Sequence, residues 1–269
     1  MKAKQVPAIS LNQVSKIYCE DRSETIAIDN LSFAVNEGEI VAIVGPSGAG
    51  KTTIINLIAG FIAPTGGTIK LNASDDRTPH RCAVVFQSDA LFPWMTVSAN
   101  IGFSLRHRGI AQDKREEAIS TYLSKIGLES EANSWPRQLS GGMRKRVELA
   151  RAFASGSVLL LDEPFGSLDS LTREAMQDVL LDTWARERRT ILFVTHDAEE
   201  ALFCSQRVVV LTPRPGTVRT ILEVPFGDER EQDLKTSPEF VTLRRELLSV
   251  LRGNHHADRH VLDSDGLRA

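Results

Sequence analysis

The stretch "GPSGAGKT", residues 45–52, places three glycines, a lysine and a threonine in the spacing G-x-x-x-x-G-K-[ST]. Gly45, Gly48 and Gly50 allow a tight loop whose N–H groups point inward, with Pro46, Ser47 and Ala49 between them. Lys51 brings a charge suited to β- and γ-phosphates, and Thr52, followed by Thr53, offers a hydroxyl to Mg²⁺. An apolar strand before the loop and a helix after it give the context that separates a phosphate cradle from an ordinary glycine-rich turn.

Two further strand ends carry polar groups. In "VLLLDEP" (158–164), four apolar residues deliver Asp162 and Glu163 to the carboxyl end of a buried strand, where α/β folds place ligands. Asp162 suits Mg²⁺ held through its water shell, and Glu163 suits the orientation and deprotonation of an attacking water. His196 closes "ILFVTH" and reaches a γ-phosphate from the same sheet edge. In "LSGGMRKRVELARAF" (139–153), Ser140, Gly141 and Gly142 precede a helix whose amides and dipole face an anion. Local chemistry does not choose here between an anion site and a plain helix start, because the chain already has one phosphate loop.

The elements that position these groups alternate. "LSFAV" (31–35) and "EIVAIVG" (39–45) read as strands around the turn residues "NEG", and a helix starts near Lys51 with Ile54, Ile55, Leu57 and Ile58 at helical spacing. "GGTIKLN" (66–72), "RCAVVF" (81–86), "VLLLDEP", "TILFVTH" (190–196) and "RVVVLTP" (207–213) are further strands. Residues 96–154 are helical in pattern, with Ala118, Ile119, Tyr122, Leu123 and Ile126 on one face of 113–127. Helices also fall at about 170–188, 197–204 and 238–252, the last with Leu243, Leu247, Leu248 and Leu251 on one side. The fold class expected is α/β: a phosphate-loop core whose parallel sheet is wrapped by helices, an antiparallel β subdomain on the N-terminal side, and an inserted helical subdomain.

Composition sets bounds rather than a function. A chain of 269 residues suits one large α/β domain or a core plus subdomain. A formal net charge of −3 lacks the basic excess usual in nucleic-acid binders. Cys19, Cys82 and Cys204 are scattered and odd in number, which fits a reducing cytosol and no disulfide framework. The N-terminus lacks the apolar run of a signal peptide, and no segment approaches the ~18 apolar residues that span a bilayer. His255, His256 and His260 sit in a polar tail without a second ligand cluster and read as solvated.

Taken together, the motifs resemble the nucleotide-binding subunit of an ATP-binding cassette (ABC) transporter over about residues 8–222. The resemblance implies that residues 45–53 hold ATP and that the Ser140–Met143 signature of one subunit closes over ATP bound by another in a head-to-tail dimer. It further implies that Gln87 contacts Mg²⁺ and water, that Ser167 and Asp169 lie in the loop crossing the dimer seam, that His196 is the switch, and that Tyr18 stacks on adenine. Met143 stands where the family pattern usually has Gln. That substitution resembles importers of nitrate, sulfonate, taurine and pyrimidine precursors, as do "FPWMTV" and "THDAEEALF". The expected division is an ATPase domain over 8–225, with 8–87 and 156–225 as nucleotide-binding core and 88–155 as helical signature subdomain, followed by a helix and tail over 226–269.

The resemblance also implies partners: a second copy of the chain, transmembrane permease subunits, and indirectly a periplasmic or extracellular solute-binding protein, with no nucleic acid. The chain then sits peripherally on the cytoplasmic face of the plasma membrane. In "FQSDALFPWMTVSANI", Phe92, Trp94 and Met95 are suited either to line the permease groove or to pack the base of the helical insert. A soluble cassette acting on ribosomes or DNA is the competing class, but such proteins usually carry two cassettes or a long coiled-coil insert. A phosphate-loop kinase or GTPase leaves the signature unexplained.

Overall fold

Long strands at the N-terminus build a sheet of their own. In this computed structural model, which describes residues 7–20, 23–72, 82–86, 90–156 and 158–253, β1 (Pro7–Glu20) pairs antiparallel with both β2 (Ser23–Asn36) and β4 (Gly66–Leu71). The strand expected over 31–35 is thus the second half of a longer one. Gln13 and Asn30 take positive φ, and their N–H groups donate to Ser32 Oγ at 2.8 Å and Ser15 Oγ at 3.0 Å. These irregularities shift register within both strands, which sharpens the local twist of the sheet.

The second sheet has six strands in the order β5 (Cys82–Val85), β6 (Val158–Asp162), β7 (Thr190–Thr195), β3 (Ile40–Val44), β8 (Arg207–Leu211) and β9 (Val218–Glu223). The first five are parallel and β9 is antiparallel at the edge. Period-two alternation sorts its side chains. Val41, Ile43, Leu160, Leu192, Val194 and Val209 pack beneath α1 (Lys51–Ile58) and the antiparallel sheet. Ile40, Ala42, Val44, Leu159, Leu161 and Phe193 face the remaining helices. Burial on both faces explains why β3, β6 and β7 read as unbroken apolar runs.

Between β5 and β6 lie α2 (Val97–His107), α3 (Gln112–Lys125) and α4 (Gly141–Phe153), and after β6 come α5 (Ser170–Glu187) and α6 (Ala198–Cys204). Each of α2, α4, α5 and α6 starts at a side-chain cap, Thr96, Ser140, Asp169 and Asp197, which fixes where the preceding loop ends. The last described helix, α7 (Pro238–Leu251), buries Phe240, Leu247 and Val250 in the main core. Just before it, Arg230 donates to the carbonyls of Leu202, Phe203 and Ser205 and so closes the C-terminus of α6. The three tail histidines lie outside the described residues.

Candidate functional site

Strands β6, β7 and β3 are adjacent and parallel, so their carboxyl ends open on one edge. The loop leaving β3 depends on glycine where the backbone is left-handed, at Gly48 (φ 78°) and Gly50 (φ 85°). A Cβ at Gly50 would also lie 2.5 Å from Ile28 Cδ1 and 3.1 Å from the Ala27 carbonyl oxygen. Lys51 turns back into the loop, where its ammonium donates to the Gly45 carbonyl at 2.8 Å and the Pro46 carbonyl at 3.1 Å. Burial lowers its pKa, while Glu163 and Asp162 act in the opposite direction. The loop lysine and the carboxylates, distant in sequence, therefore share one electrostatic site.

Asp162 is 4% exposed. Desolvation is the main cause raising its pKa; a hydrogen bond with Thr52 opposes the rise, Glu163 adds to it, and Lys145 and Lys51 lower it. A buried carboxylate bonded to a hydroxyl is an all-oxygen donor set of the kind Mg²⁺ takes. Because folding raises this pKa, the stability gained by protonating Asp162 is complete below its unfolded value and lost as pH rises through the folded one. We therefore expect Asp162→Asn to melt higher than the unsubstituted chain at pH 7 without nucleotide or divalent cation, by about 2–4 °C for each kcal/mol of relieved desolvation. The gain should shrink as pH falls toward the carboxylate range, and a lower melting point at pH 7 would contradict it.

Glu163 adopts φ 47°, the left-handed region, at a cost on the order of 1 kcal/mol for a non-glycine residue. Its N–H donates to the Val194 carbonyl at 3.0 Å and its own carbonyl accepts from the Gly166 N–H at 3.2 Å, which hold the turn. The side chain thereby swings across to β7, where Glu163 Oε1 lies 3.2 Å from His196 Nδ1. The imidazole is 66% exposed on the rim. A carboxylate that acts on the loop lysine and stands beside an imidazole can accept and pass on a proton.

The other candidates are spread around this edge. The Tyr18 hydroxyl stands 3.5 Å from Thr53 Oγ1, and Lys16 Nζ lies 5.2 Å from the centre of the Tyr18 ring. Ser140 caps α4 by accepting the Met143 N–H at 3.3 Å, Gly141 is exposed, Gly142 lies beside Leu168, and Met143 packs on the core. Ser167 is exposed, and Asp169 caps α5 through the Thr172 N–H at 3.1 Å, the bond that chiefly lowers its carboxyl pKa. Gln87 lies outside the described residues.

The bulky groups of the Phe92–Thr96 turn differ in exposure. Trp94 is 67% exposed, Met95 is half-buried, and Phe92 is held between Phe103 (ring centres 4.8 Å apart) and the Arg151 guanidinium (4.9 Å). The fully buried Asn100 side chain ties the turn: its Oδ1 accepts the Phe92 N–H at 2.9 Å and its amide N–H groups reach the carbonyls of Phe92, Met95 and Thr96.

Sequence reasoning missed Lys145 and Arg173. Lys145, 1% exposed on α4, donates to the carbonyl of Phe86, the residue before Gln87, and pairs with Glu148 Oε2 at 3.0 Å. Opposite charges three apart among the apolar Val147, Leu149 and Ala150 are the signal that could have revealed it. Arg173 carries no comparable mark in the sequence.

A phosphate-binding loop after a central parallel strand, with paired carboxylates ending a nearby strand, defines a phosphate-loop nucleotide hydrolase. The family described as "ABC transporter" matches residues 28–166. The nitrate import ATP-binding protein NrtD of Synechocystis sp. is 40% identical over 264 residues, 95% of this chain and 99% of that protein. The taurine import ATP-binding protein TauB of Chromobacterium violaceum is 41% identical over 230 residues, 83% of this chain and 88% of that protein. Among solved structures, the dimeric bacterial ABC transporter cassette MJ0796 superposes with a TM-score of 0.72 at 31% identity, covering 81% of this chain and all of that one. The same cassette has been captured in a post-hydrolysis dimer bound to ADP and Pi (TM-score 0.71). The chain belongs to the ABC transporter family of ATP-binding proteins, and it is an ATPase of that type. No described helix is long and apolar enough to cross a membrane.

Proposed function

We propose that this chain is the ATP-hydrolysing subunit of an importer for a small solute of the nitrate, sulfonate, taurine or pyrimidine-like class, working through separate membrane permease subunits. The observation that carries the reading is the convergence of Lys51, Asp162 and Glu163 at one strand edge, in a chain about 40% identical to nitrate and taurine import ATPases. ATP lies on residues 45–53, with Tyr18 against the adenine. Thr52, Asp162 and Gln87 hold Mg²⁺, which when bound offsets charge on the β- and γ-phosphates. Glu163 orients and deprotonates the attacking water, and His196 meets the γ-phosphate from the next strand.

Two copies pair head to tail, so that Ser140, Gly141, Gly142 and Met143 of one close over the nucleotide of the other, with Ser167 and Asp169 at the seam. A cap whose hydroxyl oxygen receives its own helix's N–H still has its O–H to donate to a phosphate arriving from outside. The chain rests on the cytoplasmic face of the membrane, and residues 88–155 receive the permease at Phe92, Trp94 and Met95. Exposed Trp94, backed by Phe92 at 5.6 Å between ring centres, supports that placement. Vesicles carrying this chain with a permease of the nitrate or taurine import class, the matching solute-binding protein and ATP should accumulate labelled nitrate or taurine. With Trp94→Ser, uptake is expected to fall at least about tenfold, the scale of a lost hot-spot aromatic, while ATPase activity of the isolated chain persists. Undiminished uptake would remove Trp94 from the contact, and no uptake of any of these solutes by the unsubstituted complex would end the importer reading.

A further inference from the structure

Between the loop carrying Ser167 and Asp169 and the turn carrying His196 lies one side chain that touches both. Arg173, in the first turns of α5, donates from Nη2 to the Leu168 carbonyl at 3.1 Å. The same guanidinium places Nη1 4.0 Å from Asp197 Oδ2 and Nε 3.6 Å from Glu200 Oε1. Asp197 directly follows His196 and caps α6, accepting the N–H groups of Glu199 and Glu200 at 2.7 and 3.3 Å. Glu200, 4% exposed, accepts the Thr195 hydroxyl proton at 2.6 Å, and Thr195 Oγ1 accepts the Asp197 N–H at 3.0 Å. Thr195 and Asp197, on either side of His196, are thus bonded to Glu200 and to each other within ion-pair reach of Arg173, while the His196 ring meets Glu163.

We propose that Arg173 is a positioning residue for hydrolysis, making the 167–169 loop and the His196 turn one mechanical unit, so that displacement of the loop moves the imidazole relative to Glu163. This rests on the reading of Glu163 and His196 given above. The chemistry explains why the residue is arginine. A planar guanidinium can donate to the Leu168 carbonyl from one nitrogen while its spread charge faces Asp197 and Glu200 with the others, whereas a compact ammonium on a flexible stem satisfies one side at a time.

The test uses the purified full chain and three measurements: ATP hydrolysis against ATP concentration, affinity for a fluorescent ATP analogue, and melting temperature. Arg173→Gln is expected to lose about tenfold or more in kcat, the scale of a misplaced catalytic group, with nucleotide affinity within about twofold. Arg173→Lys keeps the ion pairs with Asp197 and Glu200 but not the simultaneous hold on Leu168. It should recover the melting temperature without recovering kcat. Should Arg173→Gln fail to fold, Arg173→Lys decides alone: low kcat with an unchanged melting temperature supports the assignment, and full kcat overturns it. A kcat for Arg173→Gln within about twofold of the unsubstituted chain also overturns it, as does a Lys variant that restores stability and turnover together. An unsubstituted chain that hydrolyses no ATP, measured beside Glu163→Gln, would fell the functional reading itself and this inference with it. A defect present or absent only in the Arg173 variants bears on the inference alone.

Discussion

Replacing Glu163 by Gln is expected to leave ATP affinity within about twofold while turnover falls at least about 10²-fold, the scale of a removed general base. Gln is nearly isosteric and retains an oxygen and an N–H for the neighbouring imidazole. The bonds that hold Glu163 at φ 47° are made by its backbone, so the change leaves them in place. What is lost is a basic oxygen able to accept a proton from water. Neutralising Glu163 also removes one of the charges that raise the Asp162 pKa. Phosphate release and equilibrium binding of a fluorescent ATP analogue separate the two effects. Near-normal hydrolysis would remove Glu163 from the chemistry.

The second large effect concerns stability. Lys145 and Glu148 are both almost fully buried, and a buried ion pair is far more costly to halve than to replace whole. Lys145→Met leaves the Glu148 carboxylate and the Phe86 carbonyl without the ammonium that met them, and should destabilise the chain by about 3–5 kcal/mol. That corresponds to a melting point lower by on the order of 10 °C. Lys145→Met combined with Glu148→Leu removes both charges and should recover most of the loss. Thermal and urea denaturation of the three chains check the cycle, and a double variant as unstable as the single would refute the account.

The parts of the fold that rest on one physical signal were legible from the chain alone. Strands β3, β6 and β7 are buried on both faces and show as uninterrupted apolar runs; β3 leads into the phosphate loop, β6 ends in Asp162 and β7 is followed by His196. The antiparallel sheet was harder to place because its strands change parity. In β1 the positions packed into the core beneath the sheet run Ile9, Leu11, Val14, with Gln13 at φ 51° inserting the extra step. In β2 they run Ala27, Ile28, then Leu31, Phe33, Val35, broken by Asn30 at φ 46°, so only the regular half looks like a strand. Edge strand β9 is half-buried along most of its length and lacks an apolar run. At the site, the phosphate loop and the two carboxylates announced themselves through spacing and context. Arg173 did not, because its value lies in three partners, Leu168, Asp197 and Glu200, brought together only by the packing of α5 against α6.

Asn100 gives the exposed Trp94 a property that exposure alone does not confer. By binding four backbone groups of the Phe92–Thr96 turn from a fully buried position, it freezes the main chain on which the indole is mounted. Ordering a loose loop at an interface costs about 0.5–1.5 kcal/mol for each rotamer-rich side chain immobilised, besides its backbone. Here the backbone of the turn is already tied by those four bonds, and the indole brings only two rotatable bonds of its own. Trp94 therefore behaves as a tenon cut in advance: a complementary mortise gains nearly the whole of its contact energy, and a poorly matched one finds no slack in the turn to accommodate it.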